Sequence, residues 1–198
     1  MQRAFGLRLV TTVRCSSCGS RCTSKAFEHG LRLAPAGTET SVQALLDEHV
    51  RDEACPGYRC DACGEVGSSN KEVTVESHPP NLIVTVGRYQ YDAQLGFQKW
   101  RGQLEVNDAV TLDSVEYRLY AVVVHHGATP HSGHYTAIGH RSRGGAPNYF
   151  DDANVSAVKA LPQMGQDAYV LLYTRGDEVP VKCPRRLLAQ AFIECATR

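Results

Sequence analysis

Tyr117-Arg118-Leu119-Tyr120-Ala121-Val122-Val123-Val124 runs directly into His125-His126-Gly127-Ala128-Thr129-Pro130-His131-Ser132-Gly133-His134-Tyr135. The first eight residues are apolar or aromatic apart from Arg118 and predict a long buried strand. That strand delivers a histidine-rich turn over Gly127–Gly133, after which Tyr135–His140 predicts a second strand. Arg141–Pro147 supplies the next turn, and Asn148–Phe150 predicts a third strand ending on Asp151-Asp152. Short strands joined by turns in this way predict an antiparallel sheet.

Four histidines, at 125, 126, 131 and 134, cluster on this stretch, and two chemistries compete for them. One is a metal site, since imidazole is a common ligand. It lacks the helical H-x-x-x-H pair and an obvious neighbouring carboxylate ligand. The other is acid–base catalysis by one histidine oriented by a carboxylate. His134 follows Ser132-Gly133, where a small residue permits close approach of an extended substrate backbone. In an antiparallel hairpin His134 and Asp151 can meet, so that the carboxylate holds the imidazole N–H and stabilises the imidazolium.

Outward from this stretch, Val73 and Val75 alternate with polar residues, and Leu82–Val86 is an apolar run after the Pro79-Pro80 break. Ala168–Tyr173 is a further strand candidate. Val42–Val50 predicts a short helix with Val42, Leu45, Leu46 and Val50 on its apolar face, and Thr40 and Gln43 stand in the capping-box relation. From Pro184, the residues Leu187, Leu188, Ala191, Phe192 and Cys195 share one helical face and predict a terminal helix.

Four of the eight cysteines form two pairs, Cys15-Ser16-Ser17-Cys18 and Cys60-Asp61-Ala62-Cys63, each followed by a glycine, Gly19 and Gly64. Each pair puts two sulfurs on one tight turn, and four thiolates from two such turns suit a closed, structural, tetrahedral zinc site. The competing readings are two redox C-x-x-C pairs or plain buried thiols. Cys22, Cys55, Cys183 and Cys195 have no such spacing and read as isolated thiols.

The 21 basic residues balance 21 acidic ones, which gives no bulk attraction to phosphate, so a nucleic-acid partner is not expected. No stretch reaches the roughly 18 uninterrupted apolar residues of a membrane span. Met1–Gly6 leads into no apolar signal segment. With thiols in metal-ligand spacing, a reducing compartment is expected, in the cytoplasm, the nucleus or both.

Taken in order, these segments resemble the ubiquitin-specific proteases, papain-like cysteine peptidases. Val13–Cys18 and Tyr58–Cys63 resemble that family's two zinc knuckles. His78–Tyr89 is similar to its strand ending in Leu-Lys-Arg-Phe, with Gly87 and Tyr89 as mild departures. Tyr117–His125 with Ser132-Gly133-His134-Tyr135 resembles its histidine box. Asn148–Asp152 resembles its Phe-Asp-Asp segment, and Ala168–Tyr173 its closing strand.

The resemblance implies an α+β fold: a zinc-binding finger lobe over 1–75, an antiparallel palm over 76–176, and a helical extension over 177–198. It implies His134 as general base, Asp151 or Asp152 as its orienting carboxylate, Gly133 and Tyr135 beside the substrate tail, and structural zinc on Cys15, Cys18, Cys60 and Cys63. Ubiquitin and ubiquitinated proteins are the implied partners. The family's Asn-x-Cys-Tyr-Met-Asn-like nucleophile box has no counterpart in these 198 residues. The chain is therefore expected to start inside the domain, without the helical thumb, which another segment or chain would supply. Two functions follow as expectations: the C-terminal part of a deubiquitinase, inactive alone, or a catalytically dead ubiquitin-binding scaffold.

Overall fold

A computed structural model describes residues 2–94, 96–129, 132–140, 145–162 and 165–176. The helix expected beyond Pro184 lies outside the described residues. After a one-turn helix α1 (Gln2–Phe5), the described residues are built mainly of a small sheet and a large one. The small sheet is antiparallel, with β1 (Leu7–Cys15), β2 (Arg21–Glu28), β5 (Glu53–Ala54) and β6 (Ser69–Ser77) in the order β2-β1-β6-β5. At one end Leu7, Leu9, Val73 and Val75 alternate into the core, as the period of a half-buried strand requires. At the other end the β1–β2 turn carries Cys18 and the β5–β6 connection carries Cys60 and Cys63.

The large sheet contains β3 (Leu31–Leu33), β7 (Asn81–Val86), β11 (Ala109–Leu112), β12 (Val115–Thr129), β13 (Ser132–His140), β14 (Pro147–Asp151), β15 (Asn154–Ala157) and β16 (Ala168–Arg175). Its order is β15-β14-β13-β12-β16-β7-β3, with β11 paired to the first part of β12. Every pairing is antiparallel except β3 with β7. The strand β12 runs centrally for 15 residues. Consecutive Val122 and Val123 are both buried, as in a strand covered on both faces. The expected turn is shorter than its glycines suggest: Gly127–Thr129 continue β12, while Ser132 and Gly133 open β13.

The described residues also form two smaller pairings. β8 (Tyr89–Asp92) and β9 (Gly96–Lys99) form a hairpin, and β4 (Glu39–Ser41) lies parallel to β10 (Gln103–Glu105).

The helix α2 spans Val42–Val50 as expected, and buries Val42 and Leu46. Its cap is Ser41, not Thr40: Ser41 Oγ accepts from Ala44 N at 3.0 Å. Gln43 does not reach back to close a capping box. Its amide faces β11, donating to the Thr111 carbonyl at 2.9 Å and accepting from Thr111 N at 2.7 Å. A side-chain amide here pairs a strand edge that would otherwise bind water or another chain. Although β3 and α2 belong to the first 75 residues, β3 is a strand of the large sheet, and the buried residues of both join Leu7, Val73, Tyr117 and Tyr173 in one core.

Candidate active site and metal-binding knuckles

His134 projects from β13 near the open end of the β12–β13 hairpin, and Asp151 closes β14 on the neighbouring strand. His134 Nε2 lies 2.5 Å from Asp151 Oδ1, with both side chains partly exposed. The hydrogen bond to Asp151 raises the His134 pKa above its ordinary value, burial opposes it, and the charges of Asp151 and Asp152 add to the rise. Asp152 takes a left-handed backbone, φ 51°, at the turn into β15. That turn brings its carboxylate within 4.8 Å of the ligand atoms of His134 and Asp151. Nδ1 of His134 has no hydrogen-bond partner among the described residues. One ring nitrogen is thus held by a carboxylate while the other has no partner among the described residues, the arrangement a general base requires. His126, directly opposite His134 in the register, stacks its ring at 6.5 Å and bonds Thr136 Oγ1 through Nε2 at 2.9 Å. His131 lies outside the described residues.

Gly133 is small for a reason the sequence does not show. A Cβ built there would sit 2.3 Å from His125 Nε2 and 2.9 Å from the His126 carbonyl. The space a side chain would fill is occupied by the buried His125 ring, rather than being left open for a ligand. Tyr135 stacks on the same ring at 4.5 Å and keeps a partly exposed face. His125 Nδ1 meets the Tyr89 hydroxyl at 2.7 Å. These aromatic neighbours, and a buried Lys99 beside them, escaped the sequence reading; the one available signal was a histidine at the end of an apolar run.

The two cysteine knuckles converge although 42 to 48 residues separate the facing sulfurs. Cys15 Sγ lies 3.8 Å from Cys63 Sγ, and Cys18 Sγ 3.7 Å from Cys60 Sγ. Tetrahedral Zn–S bonds of about 2.3 Å put neighbouring sulfurs about 3.8 Å apart, so the spacing fits. The turns are alike: Gly19 N donates to the Cys15 carbonyl and Gly64 N to the Cys60 carbonyl, at 2.9 and 2.8 Å. Both glycines are left-handed, φ 74° and 75°, where a side chain would be strained.

The sulfurs are electrically unequal. The Ser20 hydroxyl, followed by the backbone N–H groups of Cys63 and Ala62, draws Cys60 down to about 6. At Cys63 the Glu65 N–H pulls down, but Cys18, burial, Cys60 and Cys15 outweigh it and push the thiol up to about 12. Four sulfurs this close cannot all ionise without a cation among them, and these four could hold one metal ion.

A family model described as ubiquitin carboxyl-terminal hydrolase matches residues 1–173, and the chain belongs to that family. Ubiquitin carboxyl-terminal hydrolase 36 of Drosophila melanogaster is 28% identical over 183 residues, covering 85% of this chain and 17% of the relative. Ubiquitin carboxyl-terminal hydrolase 23 of Arabidopsis thaliana is 28% identical over 189 residues, covering 88% of this chain and 21% of the relative. The chain thus spans about a fifth or less of the length of these curated relatives. Among solved structures, one of the yeast SAGA DUB module superimposes with a TM-score of 0.78 at 22% identity, over 88% of this chain and 41% of the other. A SAGA DUB module of Ubp8, Sgf11, Sus1 and Sgf73 bound to monoubiquitin matches with a TM-score of 0.77 at 21% identity, over the same shares. At these identities the likeness establishes the shared fold.

Proposed function

We propose that this chain is the finger and palm part of a thiol-dependent deubiquitinase, in which His134 is the acid–base group and Asp151 orients it. The observation that carries the reading is the 2.5 Å contact between His134 Nε2 and Asp151 Oδ1 on a partly exposed imidazole. In the complete enzyme Nδ1 takes the proton of a cysteine thiol. The thiolate attacks the carbonyl of ubiquitin's C-terminal glycine, and the C–N bond to the leaving amine breaks as the imidazolium returns the proton. Water then hydrolyses the thioester, with His134 again as base. Asp151 keeps Nε2 as the protonated nitrogen and stabilises the imidazolium in both halves. Asp152 is placed to add negative potential. Gly133 and Tyr135 flank the track of the ubiquitin tail.

The nucleophile is supplied from outside these 198 residues. Among the described residues no cysteine bonds to His134, and Cys15, Cys18, Cys60 and Cys63 are gathered on the small sheet. On this reading the isolated chain does not cleave ubiquitin. Zn²⁺ on the four cysteines is structural, pinning the β1–β2 turn to the β5–β6 connection. The free thiols also fit the reducing cytoplasm or nucleus.

A ubiquitin–fluorophore turnover assay tests this reading. The chain alone gives no turnover. Complementation with a thumb segment bearing the nucleophilic cysteine restores it, and His134→Ala abolishes the restored rate. No recovery on complementation, with ubiquitin binding intact, would favour an inactive ubiquitin-binding module instead.

A further inference from the structure

Beneath the His134 hairpin lies a polar network that this mechanism does not use. The Lys99 side chain is 7% exposed, and its ammonium faces three acceptors: Asp167 Oδ1 at 2.6 Å, the Gly127 carbonyl at 2.7 Å and the His125 carbonyl at 3.4 Å. An ammonium has three donors, so this one is fully committed. The Tyr89 hydroxyl donates to the same Gly127 carbonyl at 3.0 Å and lies 2.7 Å from His125 Nδ1. Its single proton is then spent on Gly127, so Nδ1 of His125 carries the hydrogen and donates to the Tyr89 oxygen. Burial, then Lys99 and His126, lower the His125 pKa, with the Asp167 charge opposing them. Burial pushes Asp167 up, but the Lys99 ammonium outweighs it and holds the carboxylate ionised. The backbone closes the loop, since His125 N donates to the Asp167 carbonyl at 3.0 Å.

Both ends of this network touch the hairpin next to His134. Gly127 follows His126, the residue opposite His134 in the register. The His125 ring fills the space against Gly133, the residue before His134.

We propose that Tyr89 and Lys99 are positioning residues for His134: by saturating the Gly127 carbonyl and holding the His125 ring beneath Gly133, they fix the hairpin twist at which the His134 ring meets Asp151. A buried lysine costs desolvation, and this one is held where its ammonium reaches two hairpin carbonyls. The role rests on the reading of His134 as the acid–base group, and its test is independent of turnover.

The test follows the His134 ring by NMR across pH in the 198-residue chain and in Tyr89→Phe, Lys99→Met and Asp151→Asn variants. Among the described residues, the charged and titratable groups facing that ring are Asp151 at the end of β14, Asp152 in the turn that follows and His126 from β12. Loosening the hairpin lengthens the Asp151 contact, so the His134 midpoint falls in Tyr89→Phe and further in Lys99→Met, approaching Asp151→Asn. Loss of the lysine charge acting directly would raise the midpoint, so the sign separates positioning from simple electrostatics. Lower thermal stability with an unmoved His134 midpoint in both variants would overturn the proposal and leave a merely structural cluster. Tyr89→Phe removes one oxygen and gives a folded comparison should Lys99→Met unfold. A null result here leaves the complementation assay standing, and a failed complementation leaves these shifts standing.

Discussion

The ring of His125 lies where a side chain on Gly133 would have to stand, 2.3 Å from Nε2 to the position of the absent Cβ. Two residues of one hairpin are thus matched as ring and gap, and the next residue along is His134. The position of His134 is thereby tied to a packing contact at the residue before it.

Gly133→Ala should therefore overpack the hairpin. We expect a loss of about 1–3 kcal/mol in denaturant unfolding, the usual cost of forcing an extra methyl into a filled space. The His134 NMR signal should move as well. An alanine variant with wild-type stability and an unmoved His134 would show that the ring yields freely.

Asp151→Asn should remove the rise in the His134 pKa. A histidine whose folded value lies above its unfolded one, about 6.5, contributes stability that is fully present below that pH. The contribution is lost as pH rises through the folded value. Melting temperatures of the wild type and Asp151→Asn should accordingly differ most between about pH 5 and 6.5 and converge above the folded midpoint. A difference that grows with pH would contradict the pairing.

The four cysteines should act as one unit. Reduced, folded protein should carry about one zinc per chain by atomic spectroscopy, as a closed four-thiolate site requires. Cys60→Ser should lose the metal more completely than Cys22→Ser, which leaves all four sulfurs in place. Full metal content in Cys60→Ser would exclude this ligand set.

Deep in the large sheet, the Tyr117 hydroxyl donates to the Pro79 carbonyl at 3.0 Å, and burial pushes its pKa up to about 12. Tyr117→Phe leaves that carbonyl without its donor, and should destabilise the chain by about 1–3 kcal/mol while leaving the His134 titration unchanged. A shift at His134 would mean that the core and the site are coupled.

Much of this architecture was legible because it is locally encoded. Period-2 alternation marked β6, apolar runs marked β7, β12 and β16, and C-x-x-C followed by glycine marked both knuckles. The order Ser-Gly-His-Tyr, turn, Phe-Asp-Asp was enough to pair His134 with Asp151, since adjacent antiparallel strands bring such positions together. The helix cap was misplaced by one residue, because Thr40 and Ser41 offer the same hydroxyl and only the backbone of Ser41 is set to use it.

What the sequence determined by itself, then, were features fixed by neighbouring residues: strand periods, tight turns, the pairing of a histidine with a nearby carboxylate and the spacing of the cysteines within each knuckle. Only the tertiary structure decided that Gln43 caps the edge of β11, and that Arg88 and Lys99 bury cationic side chains whose donors reach backbone carbonyls. The physical reason is that burial of a charge, or the need for a glycine, is set by which atoms occupy the adjoining space. That depends on register and on where strands bulge, neither of which any short window of residues contains.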